Sequence, residues 1–264
     1  AAANAAPLAH DMKLRLDPAT RQLVASDRME VEADKPFALV LGARFTVEQL
    51  TVDGVAHRAP PTHTDGMQIW QLPPARVLTI RWRGELAPLA ADVAHRDTLG
   101  AATAVADQNG SFLPAGAGWY PSVPGRFETW TVEIDLPAGQ HGVVPGELRE
   151  SRQADGRSVA RYEFPHPGRG IDLMAGPYVV AAQEMRGIAG TPIALRTLFH
   201  PELAPLAQGY LEAVRDYLAR YEAWIGPYPF ASFSVVSSPT PTGFGMPGLT
   251  YLGIEVLKLP FIRA

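Results

Sequence analysis

Residues 127–135 read Phe-Glu-Thr-Trp-Thr-Val-Glu-Ile-Asp, and this stretch is the clearest strand of the chain. Trp130, Val132 and Ile134 occupy alternate positions with polar residues between them. The turn-forming segment Leu136–Gly139 then ends the pattern. Alternation of this kind predicts a β-strand with one buried face.

Further segments with the same alternation occur throughout the first 200 residues. They lie at Met12–Leu16, Met29–Ala33, Phe37–Leu41, Val77–Trp82, Tyr178–Ala181 and Ile193–Phe199. The chain also contains 24 glycines and 25 prolines, which favours short strands joined by turns. We therefore predict a mainly β protein, with an antiparallel β-sandwich-like domain over residues 1–200.

The pattern changes after Pro201, where apolar residues recur at spacings of three and four. They are Tyr210, Leu211, Val214, Tyr217, Leu218, Tyr221, Trp224 and Ile225. This spacing predicts a helix over 206–225, with Glu222 on the opposite, polar face and Gly226-Pro227 ending it. Residues 201–264 are assigned to a second domain that begins with this helix.

Composition excludes several classes of function. The formal charge is −4, from 23 basic and 27 acidic residues, and no run of five like charges is present, which argues against nucleic-acid binding. Cysteine is absent, which removes disulfides and thiolate zinc sites. No apolar run approaches the ~18 residues of a membrane span.

The chain opens with Ala1-Ala2-Ala3-Asn4-Ala5-Ala6, which has the small-residue character of a chain left after signal-peptide cleavage. We expect a periplasmic or otherwise exported protein. An alanine-rich end added during cloning would look the same.

Motifs that carry catalytic chemistry are missing. None of the seven histidines lies in an HExxH helix, the arrangement that places two imidazoles and a general base at zinc. Neither a Gly-x-Ser-x-Gly elbow nor a phosphate-binding loop is present. We assign no catalytic residue and no metal ligand to this chain.

The stretch 242–251 reads Thr-Gly-Phe-Gly-Met-Pro-Gly-Leu-Thr-Tyr and has two interpretations. The first is a Gly/Pro turn between two strands. The second is a binding segment, because glycine lets backbone N–H and C=O groups come close to an extended ligand.

This stretch, together with earlier motifs, resembles the aminopeptidase N family of zinc metallopeptidases, a gluzincin family. The similarity covers most of the chain and includes Lys13–Pro18, Gly118–Pro121 and Met174–Tyr178. It is most specific from Tyr210 to Gly253, where helix, short strand and Gly-Met-Pro-Gly-Leu element follow in family order. The resemblance implies an N-terminal β domain followed by the first helix and strands of a thermolysin-like α+β catalytic domain.

The resemblance also implies a role for Gly243, Phe244, Gly245 and Met246. In the family, a Gly-x-Met-Glu-Asn segment forms a strand along the substrate, and its Glu binds the free α-amine. Backbone recognition carries over to these four residues, which we predict to bind peptide substrate. The Glu-Asn pair is missing here, so amine recognition does not carry over.

The family's HExxH and its later Glu ligand are also missing from these 264 residues. The chain resembles an N-terminal portion truncated before the catalytic helix, and we expect it to be inactive alone. The resemblance implies zinc and a peptide substrate for the complete protein. The helix face meant for the rest of a catalytic domain would then be exposed, and we expect self-association through it.

Two other interpretations remain open. One is a non-catalytic β-sandwich module that binds a peptide or a partner protein, which metal-independent peptide binding by this chain would favour. The other is a degenerate peptidase homologue without a working zinc site.

Overall fold

The structure, a computed structural model, describes residues 6–90 and 103–260. Most of the alanine-rich start, on which the expected export rests, lies outside the described residues. The chain divides into two compact units, the first holding residues 6–89, 103–144 and 148–174. The second holds residue 90, residues 145–147 and residues 175–260. The predicted domain boundary at residue 200 is a different division and stays a prediction.

Among the described residues up to residue 176, the regular elements are strands, apart from one 3₁₀ turn at Ala115–Ala117. In chain order they are β1 (Leu8–Asp17), β2 (Gln22–Ala33), β3 (Phe37–Gly42), β4 (Phe45–Val52), β5 (Val55–Ala56), β6 (Thr62–Thr64), β7 (Met67–Leu72), β8 (Ala75–Glu85), β9 (Ala87–Pro88), β10 (Val105–Ala106), β11 (Ser111–Leu113), β12 (Glu128–Pro137), β13 (His141–Val143), β14 (Glu147–Ala154), β15 (Arg157–Gly168) and β16 (Leu173–Gly176). The prediction of a mainly β fold is confirmed.

Eight of these strands form one large sheet in the order β14-β15-β12-β1-β2-β8-β4-β5. Smaller sheets have the orders β13-β16-β11-β10-β9 and β3-β7-β6. The pairings β1–β2, β2–β8, β4–β8 and β12–β15 are antiparallel, as expected, whereas β1 and β12 run parallel. Period-two alternation is the same in both orientations, so the sequence pattern cannot identify a parallel pair.

The core of the large sheet follows the predicted alternation. Along β12, Trp130, Val132 and Ile134 are buried on one face. The indole Nε1 of Trp82 is fully buried and donates a hydrogen bond to the carbonyl oxygen of Trp119 at 3.0 Å. Buried tryptophan needs such a partner, because an unpaired N–H in the core is costly.

The described residues of the second unit form one sheet and two helices. Its elements are β17 (Val179–Arg186), β18 (Pro192–Phe199), α1 (Ala207–Ile225), β19 (Ser232–Ser238), β20 (Gly243–Met246), β21 (Leu249–Gly253) and α2 (Ile254–Leu257), with a 3₁₀ turn at Pro201–Leu206 before α1. The sheet order is β17-β18-β19-β21-β20. Strands β18 and β19 are parallel neighbours, so a crossover must join them, and α1 is that crossover.

The long helix is confirmed, and its buried side lies on the sheet of the second unit. Tyr210 packs with Phe199 and Val235, while Leu211 and Leu218 pack with residues of β18. Gly226, with φ 117°, ends the helix in a conformation that favours glycine. Among the described residues, no helix is long and apolar enough to cross a membrane.

The apolar residues in the last turn of α1 are exposed, unlike the buried ones earlier in the helix. Tyr221, Trp224 and Ile225 are 50%, 71% and 81% exposed. These three residues form an exposed apolar end of the helix. The expected self-association through this surface stays a prediction.

Glu222 was predicted to face solvent, and this was wrong, because its side chain is buried. The carboxylate accepts hydrogen bonds from the backbone N–H groups of Ile188 at 3.0 Å and Tyr228 at 2.9 Å. Glu222 thereby ties the β17–β18 turn to the segment after α1. Helical spacing cannot reveal this role, since both partners are backbone groups outside the helix.

Candidate functional site

The strand β20 lies at the end of its sheet. One of its edges pairs with β21, and the other meets no strand of the described residues. Gly243, Phe244, Gly245 and Met246, the residues predicted to bind substrate, make up this strand. The fold thus brings the four residues together on an edge strand, and their binding of substrate stays a prediction.

A tight turn holds β20 against β21. Met246 pairs directly with Leu249, so Pro247 and Gly248 alone form the loop. Gly248 has φ +69°, and a Cβ there would lie 2.8 Å from the carbonyl oxygen of Ser232. Proline followed by glycine is typical of a type II turn, in which the second position needs positive φ. Gly248 is therefore required by the turn.

The backbone groups that point away from the sheet can be identified from the hydrogen-bond pattern. The N–H of Gly253 donates to the carbonyl oxygen of Thr242 at 2.8 Å. In an antiparallel pair, hydrogen-bonded and non-hydrogen-bonded positions alternate. The register therefore directs the N–H and C=O groups of Gly243 and Gly245 to the outer edge, and those of Phe244 and Met246 to β21.

The two glycines of β20 are not required by the fold itself. A Cβ on Gly245 would have no atom within 4 Å, and one on Gly243 would make only ordinary contact with Leu252 at 3.6 Å. Neither glycine has a positive φ, in contrast to Gly248. Gly253 differs again, because a Cβ there would meet the Thr240 carbonyl oxygen at 2.9 Å. Space is thus left open on one face of β20 where a side chain would fit.

The other face of β20 is apolar. Phe244 lies opposite Tyr251 and Met246 lies opposite Leu249, so all four side chains share one face of the sheet. Tyr251 and Leu249 are buried, while Phe244 and Met246 are half-buried. A ligand strand added to this edge would have apolar neighbours on the face of Phe244 and Met246. On the face of Gly243 and Gly245 it would meet open space.

The first unit contains a buried ionic cluster, which was not predicted. It consists of His10 on β1, Asp27 on β2, Glu128 on β12 and the loop residue Tyr120. His10 Nδ1 lies 2.6 Å from Asp27 Oδ2, and His10 Nε2 lies 3.8 Å from Glu128 Oε2. The Tyr120 hydroxyl donates to Glu128 Oε2 at 2.7 Å and accepts from the N–H of Ile171 at 3.0 Å.

The electrostatics of the buried ionic cluster favour a charged histidine. Burial acts to lower the pKa of His10, but the Asp27 and Glu128 carboxylates outweigh it and raise that pKa to about 9. Burial and the Glu128 carboxylate raise the pKa of Tyr120, which keeps its hydroxyl protonated as a donor. The cluster is closed to solvent, which suits a role in holding strands together.

Stability is expected to fall with rising pH because of His10. A group whose pKa rises on folding stabilises the protein fully below its unfolded value, here 6.5, and loses this effect as pH rises to about 9. The shift corresponds to about 3 kcal/mol, since one pKa unit is ~1.36 kcal/mol. Urea unfolding at pH 6 and pH 9.5 measures it, and a free energy of unfolding that is unchanged over this range would contradict it.

The buried ionic cluster has a signal in the sequence. His10 precedes Met12 and Leu14 on one face of β1, and Asp27 lies between Ala25 and Met29 on one face of β2. Polar residues at core-facing positions of an alternating strand indicate buried partners. The prediction followed only the apolar positions and therefore missed them.

Side chains that could bind zinc do not come together in the part of the chain that the structure describes. In residues 6–90 and 103–260, no three His, Cys, Asp or Glu side chains converge to hold a metal ion.

Comparison with known proteins gives a likeness of fold only. No family model matches the chain, and no curated protein matches it. An M1 zinc metallopeptidase mutant from Deinococcus radiodurans is 18% identical, with a TM-score of 0.71, over 94% of this chain and 61% of that one. A two-domain M1 zinc metallopeptidase mutant bound to L-arginine is 17% identical, with a TM-score of 0.71, over 97% of this chain and 62% of that one.

A third structure is an M1 zinc metallopeptidase mutant from Deinococcus radiodurans bound to a Tyr-Ser-Ala substrate. It is 17% identical, with a TM-score of 0.69, over 98% of this chain and 63% of that one. The chain thus spans less than two thirds of the length of these relatives. Its fold is that of the N-terminal part of M1 zinc metallopeptidases, an aminopeptidase family.

Proposed function

We propose that this chain is the peptide-binding portion of an exported, aminopeptidase N-like zinc metallopeptidase that in complete form hydrolyses peptide bonds. The likeness of fold to M1 zinc metallopeptidases, one of them bound to a Tyr-Ser-Ala substrate, supports this proposal. The observation that carries it is the edge of β20 that pairs with no strand of the described residues, where Gly243 and Gly245 direct their backbone groups outward.

In this proposal a peptide binds to β20 as an additional strand. Gly243 and Gly245 offer two N–H donors and two C=O acceptors, each worth about 1 kcal/mol net when paired. Phe244 and Met246 contact the peptide side chains on one face. On the other face of β20, the open space beside Gly245 accepts a large side chain of the peptide.

Zinc belongs to the complete enzyme in this proposal, where it would supply a Lewis acid and an activated water. The described residues bring no fitting set of donors together. No hydrolytic step is therefore assigned to them, and their part is to bind and orient the peptide backbone.

Hydrogen exchange tests the proposal at single residues. With an extended peptide added, exchange of the Gly243 and Gly245 amides is expected to slow, because these N–H groups gain partners. The Phe244 and Met246 amides, already directed to β21, serve as internal controls and should change less. Slower exchange on β17, the opposite edge of the sheet, with none on β20, would contradict the proposal.

A non-catalytic β-sandwich module that binds peptides or proteins is the second candidate. It is favoured by the same edge, because binding through backbone groups needs no metal. Peptide hydrolysis by the protein encoded by the complete gene, lost on addition of a chelator, would support the peptidase. Binding without hydrolysis, unchanged by the chelator, would support the module.

A further inference from the structure

The candidate binding edge lies in a long stretch without residues that carry a charge near neutral pH. Residues 223–254 contain no Asp, Glu, Lys, Arg or His. This stretch includes β20, its neighbour β21 and the following strand of the sheet, β19. The edge and its sheet neighbours therefore present backbone groups and uncharged side chains only.

Both carboxylates that flank this stretch have partners within the chain, Glu222 in a buried position and Glu255 on the exposed surface. Glu222 is buried and accepts hydrogen bonds from the backbone N–H groups of Ile188 and Tyr228. Glu255 forms an ion pair with Lys258 at 2.7 Å. The remaining acid on the strands of this sheet, Glu184, lies on β17 at the opposite edge.

The free amino terminus of a peptide has a pKa near 8 and is charged at neutral pH. Bringing this charge against an uncharged edge removes water without providing an anion, which is unfavourable. An interior peptide unit, in contrast, matches the outward N–H and C=O groups of Gly243 and Gly245. The chemistry of the edge thus favours uncharged backbone over a charged end.

We infer that β20 binds interior or N-terminally blocked segments of an extended, uncharged peptide and gives no advantage to a free amino terminus. This inference rests on the proposed function, since it names the class of peptide for the same edge. Recognition follows from strand pairing along Gly243–Met246. Peptides with acidic or basic side chains at the paired positions gain no partner there.

Three peptides of one uncharged six-residue sequence, all amidated at the C-terminus, test the inference on the 264-residue chain by calorimetry. The first has a free amino terminus, the second is N-acetylated, and the third is N-acetylated with alternate backbone amides methylated. We expect the acetylated peptide to bind at least as tightly as the free one at pH 6 and pH 9. Methylation is expected to weaken binding tenfold or more.

Each other outcome has a distinct meaning. Binding of the free peptide more than tenfold tighter than the acetylated one, with the preference fading as pH rises through 8, would overturn the inference and leave the proposed function intact. Absence of binding for all three peptides at millimolar concentration would overturn the proposed function itself. Equal binding of the methylated peptide would also do so, because strand pairing would then not be involved.

Discussion

Gly245→Pro is expected to weaken binding of an extended peptide at least tenfold, while the free energy of unfolding changes by less than about 1 kcal/mol. The Gly245 N–H points away from β21, so its removal breaks no bond of the sheet. Proline is tolerated at such positions of an edge strand. The same change removes a donor from the peptide and places a ring on the pairing edge, which costs a tenfold or larger loss.

Gly245→Ala is the matched control for this experiment. It keeps the N–H and adds a methyl group into open space, so peptide affinity should stay within about threefold. Gly243→Pro provides a second test, because the Gly243 N–H also points outward. Calorimetric titrations with circular dichroism melting curves measure both properties. Full affinity in both proline variants, with intact melting curves, would remove β20 as the binding site.

His10→Leu is expected to lower the free energy of unfolding by about 3–5 kcal/mol at pH 6. Leucine cannot pair with Asp27, which would be left as a buried carboxylate without its cation. Removing one partner of a buried ion pair is costly for this reason. Urea unfolding followed by circular dichroism measures the loss.

The double variant His10→Leu, Asp27→Leu separates the charge effect from packing. Replacing both partners by apolar residues is often neutral, so the double variant should recover most of the lost stability. Glu128 keeps its bond from Tyr120 in both variants. If the double variant were as unstable as the single one, the loss would come from packing around leucine and the electrostatic account would be wrong.

Local sequence patterns predicted the elements of this fold well, and pairings between distant elements poorly. The strand at Glu128–Pro137 and the helix at Ala207–Ile225 follow from periods of two and 3.6 residues. The parallel contact of β1 with β12 joins segments more than one hundred residues apart, which no local pattern encodes. The same holds for Glu222, whose partners lie on both sides of the helix in the sequence.

The candidate site shows the same limit. Glycines at 243 and 245 indicated a segment that comes close to a ligand, and the structure places them on one strand. The position of β20 at the end of the sheet depends on the order β19-β21-β20. After β19 the chain first forms the edge strand β20, and then returns to place β21 between β19 and β20. Sequence spacing cannot distinguish this order from one with β20 in the middle, where both edges would be paired.

The exposed end of α1 has a consequence for spectroscopy. Four of the five tryptophans, Trp70, Trp82, Trp119 and Trp130, are buried in the first unit, while Trp224 is 71% exposed in the second. Intrinsic emission should therefore shift to longer wavelength when the first unit unfolds and change little when the second does. Trp224 alone should be quenched by iodide in the native protein, which makes it a built-in reporter for any molecule that covers the end of the helix.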